Sequence, residues 1–196
     1  DLEKVSFARQ RLTRIDFTGA NLEEADFNYA ELGRCNFSRA NLQGASFAFA
    51  RINQCTFDEA DLTGASFHGA ALSSNTFIKA ILRKADFQYV GRAEWSPSDK
   101  INFEGADLRD ADFRMARLSF ILPSRLRSTG KSLAMSIGLG GSSSYVDFDG
   151  ADLTGANLED AWMIEASLAG ANLTGLAARR ANLAGFYSDW DTIWKN

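Results

Sequence analysis

A single histidine, His68, and two cysteines, Cys35 and Cys55, are all that this 196-residue chain offers of the side chains most used for metal binding and nucleophilic relays. There is no CxxC and no His–Cys cluster, so no metal ligand set is encoded. A histidine-based triad would rest on His68 alone, and the pattern described below turns that residue outward, onto open surface. No stretch of eighteen apolar residues occurs, which excludes a helical membrane span. No signal peptide is visible. Because the chain starts at Asp1, removal of a leader or an upstream domain stays open, and a cytoplasmic location is the expectation.

What the sequence has instead is a period of five. A large apolar residue recurs without a slip from Leu2, Phe7, Leu12 and Phe17 to Leu82 and Phe87, with leucine and phenylalanine alternating and isoleucine only at Ile52. A period of five fits neither a helix at 3.6 nor a strand at 2. It requires a coil that turns a corner every five residues and sends each large side chain inward.

Four sides per turn can be read independently. Sorted by twenty, the small inward positions two before each large residue give one odd column, Ile15, Cys35, Cys55, Asn75. Two other columns are alanine throughout from Ala20 and Ala25, and the last runs Gln10, Ala30, Ala50, Ala70. One side in four therefore carries larger inner residues, and leucines and phenylalanines fall on opposite pairs of sides. Cys35 and Cys55 stack on adjacent turns at about 4.8 Å, with side chains pointing the same way. They are expected as buried thiols rather than as a disulfide.

Ala20-Asn21-Leu22, Ala25-Asp26-Phe27, Ala60-Asp61-Leu62-Thr63-Gly64 and Ala151-Asp152-Leu153-Thr154-Gly155 resemble the consensus of the pentapeptide repeat family. The resemblance covers roughly three quarters of the chain. It implies a right-handed, four-sided parallel β-helix with one repeat per side. Thirty repeats give about 7.5 coils, a rod of ~36 Å at ~4.8 Å per coil, and a single domain over residues 1–196.

Two interruptions are expected in the solenoid. A first loop, 88–102, contains Pro97; a second, 119–147, is longer and basic. From Phe113 to Val146 there are five basic residues, among them Arg125, Arg127 and Lys131, and no acid. Ser128-Thr129-Gly130-Lys131 matches Ser-x-x-Lys and its end resembles a phosphate loop, but the first glycine and the strand-then-helix setting are missing. The Asp and Asn residues before each large residue are expected to bond turn backbone rather than to catalyse. No catalytic residue, metal or cofactor is assigned.

The outer surface carries the binding expectation. Arg9, Tyr29, Phe49, Gly69 and Tyr89 form one outward stripe, beside Arg11, Glu31 and Arg51, with Arg14 and Arg34 further across. Stacked aromatics beside arginines suit either an interaction surface or mutual support between coils. Trp162 and Ile164 are expected as a second exposed apolar spot. Residues 186–196 are aromatic and expected to cap the C-terminal end. Nothing comparable precedes Leu2, which leaves that end open for oligomerisation.

These features favour a non-enzymatic scaffold binding another, acidic or mixed, protein through Tyr29, Phe49, Tyr89, Arg11, Arg51, Arg125, Arg127, Lys131 and Trp162. The alternative implied by the resemblance is DNA mimicry: some relatives are acidic rods that occupy the DNA site of gyrase and protect it from quinolones or toxins. The pI of about 5.1 agrees with that class; the arginine-bearing side and the basic insertion oppose it.

Overall fold

The computed structural model describes residues 1–91, 100–118, 146–163, 166–183, 188 and 192. Within them the chain winds into coils of four five-residue sides. Short parallel strands mark one side: β1 (Arg11–Thr13), β2 (Glu31–Gly33), β3 (Arg51–Asn53) and β4 (Ala71–Ser73) pair in that order at a register of twenty residues. A second pair, β5 (Ile101–Asn102) and β6 (Val146–Asp147), lies on the following side.

Each side binds the next coil through its backbone. Leu22 N–H donates to Asn41 O at 2.7 Å, Glu24 N–H to Gln43 O at 2.8 Å, and Asn41 N–H returns to Ala20 O at 2.9 Å. Three corners of each coil also close an internal turn, as in Ala25 N–H to Leu22 O at 3.0 Å. The second residue after each large one takes the costly positive φ, at the corner without such a turn bond too. Eighteen described non-glycine residues accept that cost, among them Tyr29 at 59° and Phe49 at 58°. Inter-coil bonding and core burial hold them there, against the ~1–2 kcal/mol each that the left-handed region costs.

The large residues fill the interior as the period predicts. From Leu22 to Leu173 every described one is essentially buried. Phenylalanines form two stacks, illustrated by Phe27–Phe47 and Phe37–Phe57, both at 4.8 Å and 3°. Across the interior the stacks meet edge to face, as in Phe47–Phe57 at 5.7 Å and 90°. Such pairs add ~0.5–1.5 kcal/mol each beyond burial. Both stacks run on through the interruptions: Phe77 meets Phe103 at 4.9 Å, Phe87 meets Phe113 at 4.7 Å and Phe103 meets Phe148 at 5.2 Å.

The odd column has a specific chemistry. At its corner no internal turn bond forms in the first four coils; the chain opens into β1–β4 before bending. Side chains of the next coil take the orphaned backbone groups. Cys35 N–H donates to Cys55 Sγ at 3.4 Å, Cys55 N–H to Asn75 Oδ1 at 2.9 Å, and Asn75 Nδ2 to Ile52 O at 2.9 Å. Both thiols are free and buried, as expected. The hydrogen bond to Cys35, together with burial, pushes the Cys55 thiol up and keeps it neutral.

Both interruptions are narrower than the sequence suggested. Residues 88–91, 100–102 and 146–147 belong to the coils: Val90, Ile101 and Val146 are wholly buried. Val90 takes the place of Ala30, Ala50 and Ala70, while Ile101 and Val146 extend the Ile15–Asn75 column. They were missed because extra residues break the count of five beside them. The two departures, after Gly91 and after Leu118, lie on the same side of the rod in successive coils, since Arg117 N–H donates to Val90 O at 2.7 Å. The return strands β5 and β6 pair, and Lys100 Nζ meets Asp147 Oδ2 at 2.5 Å across them. Of the C-terminal tail, Thr192 Oγ1 donates to Leu168 O at 2.8 Å; most of 186–196 lies outside the described residues.

Candidate interaction face

The side that carries β1–β4 differs in charge from the rest of the rod. Its outward row reads Arg11, Glu31, Arg51, Ala71 and Gly91, in register. Arg117, Trp162 and Asn182 continue it in the later coils. With Arg14 and Arg34 at its far corner, this side has five arginines, and Glu31 is its one acid among the described residues. It thus carries +4 on a chain of formal net charge −4, which leaves −8 for everything else. Arg11 and Glu31 are joined by an exposed ion pair of 2.7 Å, worth ~0–1 kcal/mol.

Along the near corner runs the aromatic ridge, every member at a positive-φ turn position. Arg9 lies over the Tyr29 ring at 5.6 Å, and Tyr29 stacks on Phe49 at 5.2 Å and 15°. Phe49 then leans across Gly69, where a Cβ would stand 2.6 Å from its ring. His68 bridges the gap, 5.7 Å from Phe49 and 5.3 Å from Tyr89, with its Nδ1 at 3.3 Å from Asp86 Oδ2. Tyr29, Phe49, Tyr89 and Met115 remain 55%, 49%, 55% and 38% exposed. The two readings of the stripe therefore coexist: the rings support one another, and their edges still form an apolar ridge.

Of the nine residues expected at the site, six lie among the described residues and three outside them. Tyr29, Phe49, Tyr89, Arg11 and Arg51 come together on this side and its near corner. Trp162 shares the row but is half-buried, which corrects the expectation of an exposed apolar spot; Ile164 lies outside the described residues. Arg125, Arg127 and Lys131 also lie outside them, although their segment departs after Leu118 on this same side. Met115 is absent from the sequence reading, and Arg117 enters it only as one of the basic residues between Phe113 and Val146. The leucine–phenylalanine alternation across the interruptions would have placed both in these rows.

The other acids are largely engaged. Asp16, Asp61 and Asp152 accept N–H bonds two residues on, at 3.0 Å each, the expected turn role. Asp160 pairs with Arg180 at 2.6 Å. Hydrogen bonds from Arg109, and then from Arg83, hold the Asp107 carboxyl well down, at about 2. No group of three or more His, Cys, Asp or Glu able to hold a metal occurs among the described residues. No helix among them is long and apolar enough to cross a membrane.

Two family models match. The one described as "Pentapeptide repeat region" covers residues 1–89, and "Pentapeptide repeats (8 copies)" covers 99–119 and 147–185. Among solved structures, the chain is similar to HetL, a pentapeptide repeat protein involved in heterocyst differentiation regulation in the cyanobacterium Nostoc sp. strain PCC 7120. That likeness has 22% identity and a TM-score of 0.54, over 96% of this chain and 88% of that one. It is also similar to QnrB1, a plasmid-mediated fluoroquinolone resistance protein, with 19% identity and a TM-score of 0.59, over 96% and 77%. No curated protein matches the sequence. The four-sided parallel coil, the five-residue period and both family models agree: this chain belongs to the pentapeptide repeat family and folds as a right-handed β-helix.

Proposed function

We propose that the protein is an interaction rod that binds another macromolecule, an acidic or mixed protein, through its β1–β4 side. The observation that carries this is the segregation of charge: +4 on one side of a rod whose remainder is −8, bordered by an exposed aromatic ridge. Tyr29, Phe49, Tyr89, Arg11 and Arg51 supply the described part of the surface. Arg125, Arg127 and Lys131 add basic charge in the segment that departs from it. Aromatic and arginine side chains are the types that dominate interface energetics, and one-signed charge steers an oppositely charged partner.

The test is affinity capture from the source cells with the full chain, compared with the variant Arg11→Glu, Arg51→Glu, Arg117→Glu. Loss of a saturable partner in the variant, with an unchanged melting temperature, supports this side as the surface. Undiminished capture would remove it. A second reading, gyrase modulation by DNA mimicry, is favoured by the likeness to QnrB1 and by the acidity of the other three sides. Its weakness is that Asp147, Asp152 and Asp160 face Lys100, Arg109 and Arg180.

A further inference from the structure

We infer that copies of this chain associate side by side, the β1–β4 side of one lying against the opposite side of the next. The inference rests on the reading of the β1–β4 side as a binding surface and adds a second copy of the chain as a partner that fits it.

Four sides per turn put the column of Leu2, Leu22 and Leu42 half a turn from that of Leu12, Leu32 and Ile52, on the opposite side of the rod. In the first three coils, which precede the departures after Gly91 and Leu118, these two sides carry equal and opposite charge. Residues 10–14, 30–34 and 50–54 hold Arg11, Arg14, Arg34 and Arg51 against Glu31, a net +3. Residues 1–4, 20–24 and 40–44 hold Asp1, Glu3, Glu23 and Glu24 against Lys4, a net −3. Of the sides between them, one is neutral with Arg9 and Asp26; the other is −2, with Asp16, Asp58 and Glu59 against Arg39. The cross-section of the rod is therefore electrically polar. Its charges reach solvent: Arg11 keeps 77% of its side chain exposed while it pairs with Glu31, and Glu3 and Glu24 keep 44% and 58% beside Lys4.

A sideways shift without rotation brings the two sides together, and both repeat at the same ~4.8 Å coil spacing. Facing sides run in opposite directions, so the row of Arg11, Glu31 and Arg51 lies over the row of Glu3, Glu23 and Gln43. A slip of one coil sets Arg11 over Glu23 and Glu31 over Gln43, which removes the like-charged contact. Each copy binds with one side and offers the opposite side to the next. Such a contact is heterologous and does not close, so its product is an open lateral row rather than a dimer. A patch three coils tall, ~14 Å at that spacing, stays below the ~1,200 Å² of a standard interface. The association is therefore transient and depends on charge.

Sedimentation velocity of the full chain over a range of concentrations tests this. In dilute buffer the weight-average sedimentation coefficient should rise with concentration without reaching the plateau of a closed dimer. In ~1 M salt, where the Debye length falls to ~3 Å, the association should weaken at least ~tenfold. Two variants then assign the sides. Arg11→Glu, Arg14→Glu, Arg34→Glu leaves both sides acidic, and Glu3→Lys, Glu23→Lys, Glu24→Lys leaves both basic. Each alone should stay monomeric with an unchanged melting temperature, and their equimolar mixture should associate again. An unmodified chain that stays monomeric, association indifferent to salt, or a mixture that stays monomeric would overturn the inference. So would variants that each associate like the unmodified chain, which would place the contact elsewhere, as at the coil ends. The salt comparison uses the unmodified protein, so it does not depend on any variant folding. If the chain is monomeric while the variant at Arg11, Arg51 and Arg117 still loses its cellular partner, that side binds a different molecule and only self-association falls.

Discussion

Asn75 shows how one side chain closes a corner that the backbone leaves open. It is completely buried, and its amide both accepts from Cys55 N–H and donates to Ile52 O. Alanine, the usual residue at this inward position, would leave both backbone groups unpaired in the interior. Asn75→Ala is therefore expected to cost ~2–4 kcal/mol, since a buried unsatisfied group costs ~1–3 kcal/mol. Denaturant unfolding measures it. A loss below ~1 kcal/mol would mean that this corner relaxes into the turn bond used by the other three. Asp107 supports a second prediction at this scale. Its carboxyl is held near 2 against an ordinary 3.8, so its contribution is complete above about 3.8 and is lost as pH falls through about 2. Asp107→Asn should flatten the fall in melting temperature across that window and leave the slope above pH 5 unchanged. An unaltered acid limb would show that Arg83 and Arg109 do not stabilise the fold through it.

At the scale of the element, the insertions sit where the corner is weakest. Ile15, Cys35, Cys55 and Asn75 mark the one corner without an internal turn bond, so extra residues there break no such bond. Both departures follow this side, and both returns enter through the same inward column, at Ile101 and Val146. Replacing 120–145 with a short glycine linker should therefore keep the coils, because Phe103–Phe148 stacking and the β5–β6 pairing lie outside the deleted stretch. Far-ultraviolet circular dichroism and a cooperative melt would check this, and a collapsed fold would assign the segment a structural role. The same corner explains what the sequence could and could not reveal. The repeat from Leu2 to Phe87 was legible because alternation of leucine and phenylalanine leaves no second register. Val90, Ile101 and Val146 were illegible because six and twenty-five additional residues shift the count, and valine or isoleucine there resembles loop sequence. The stripe of Tyr29, Phe49 and Tyr89 beside Arg11 and Arg51 could be read from the period; its continuation through Met115 and Arg117 could not be read without restoring that phase.

For the whole molecule, the decisive quantity is how charge is distributed over the four sides, and it separates the two functional readings. A mimic of the phosphate backbone needs continuous, unpaired negative potential along one surface. Here a net charge of −4 is built from a +4 side and a −8 remainder. Within that remainder, Asp107, Asp112 and Asp160 are each bonded by an arginine at 2.7, 2.6 and 2.6 Å. Local pairing of this kind reduces the field that a DNA-binding groove would sense. In a gyrase supercoiling assay, with and without a quinolone, the protein is therefore expected to have little effect at low micromolar concentration. Its cellular partner should instead dissociate as salt rises, because exposed arginines beyond a Debye length of about 8 Å are screened at physiological ionic strength. The variant Arg11→Glu, Arg51→Glu, Arg117→Glu should lose both the binding and its salt dependence. Reversal of Asp149, Asp152 and Glu159 to lysine should leave both in place. Strong gyrase inhibition or quinolone protection, abolished by the acidic reversals and indifferent to the arginine ones, would defeat the interaction-rod reading and put mimicry in its place.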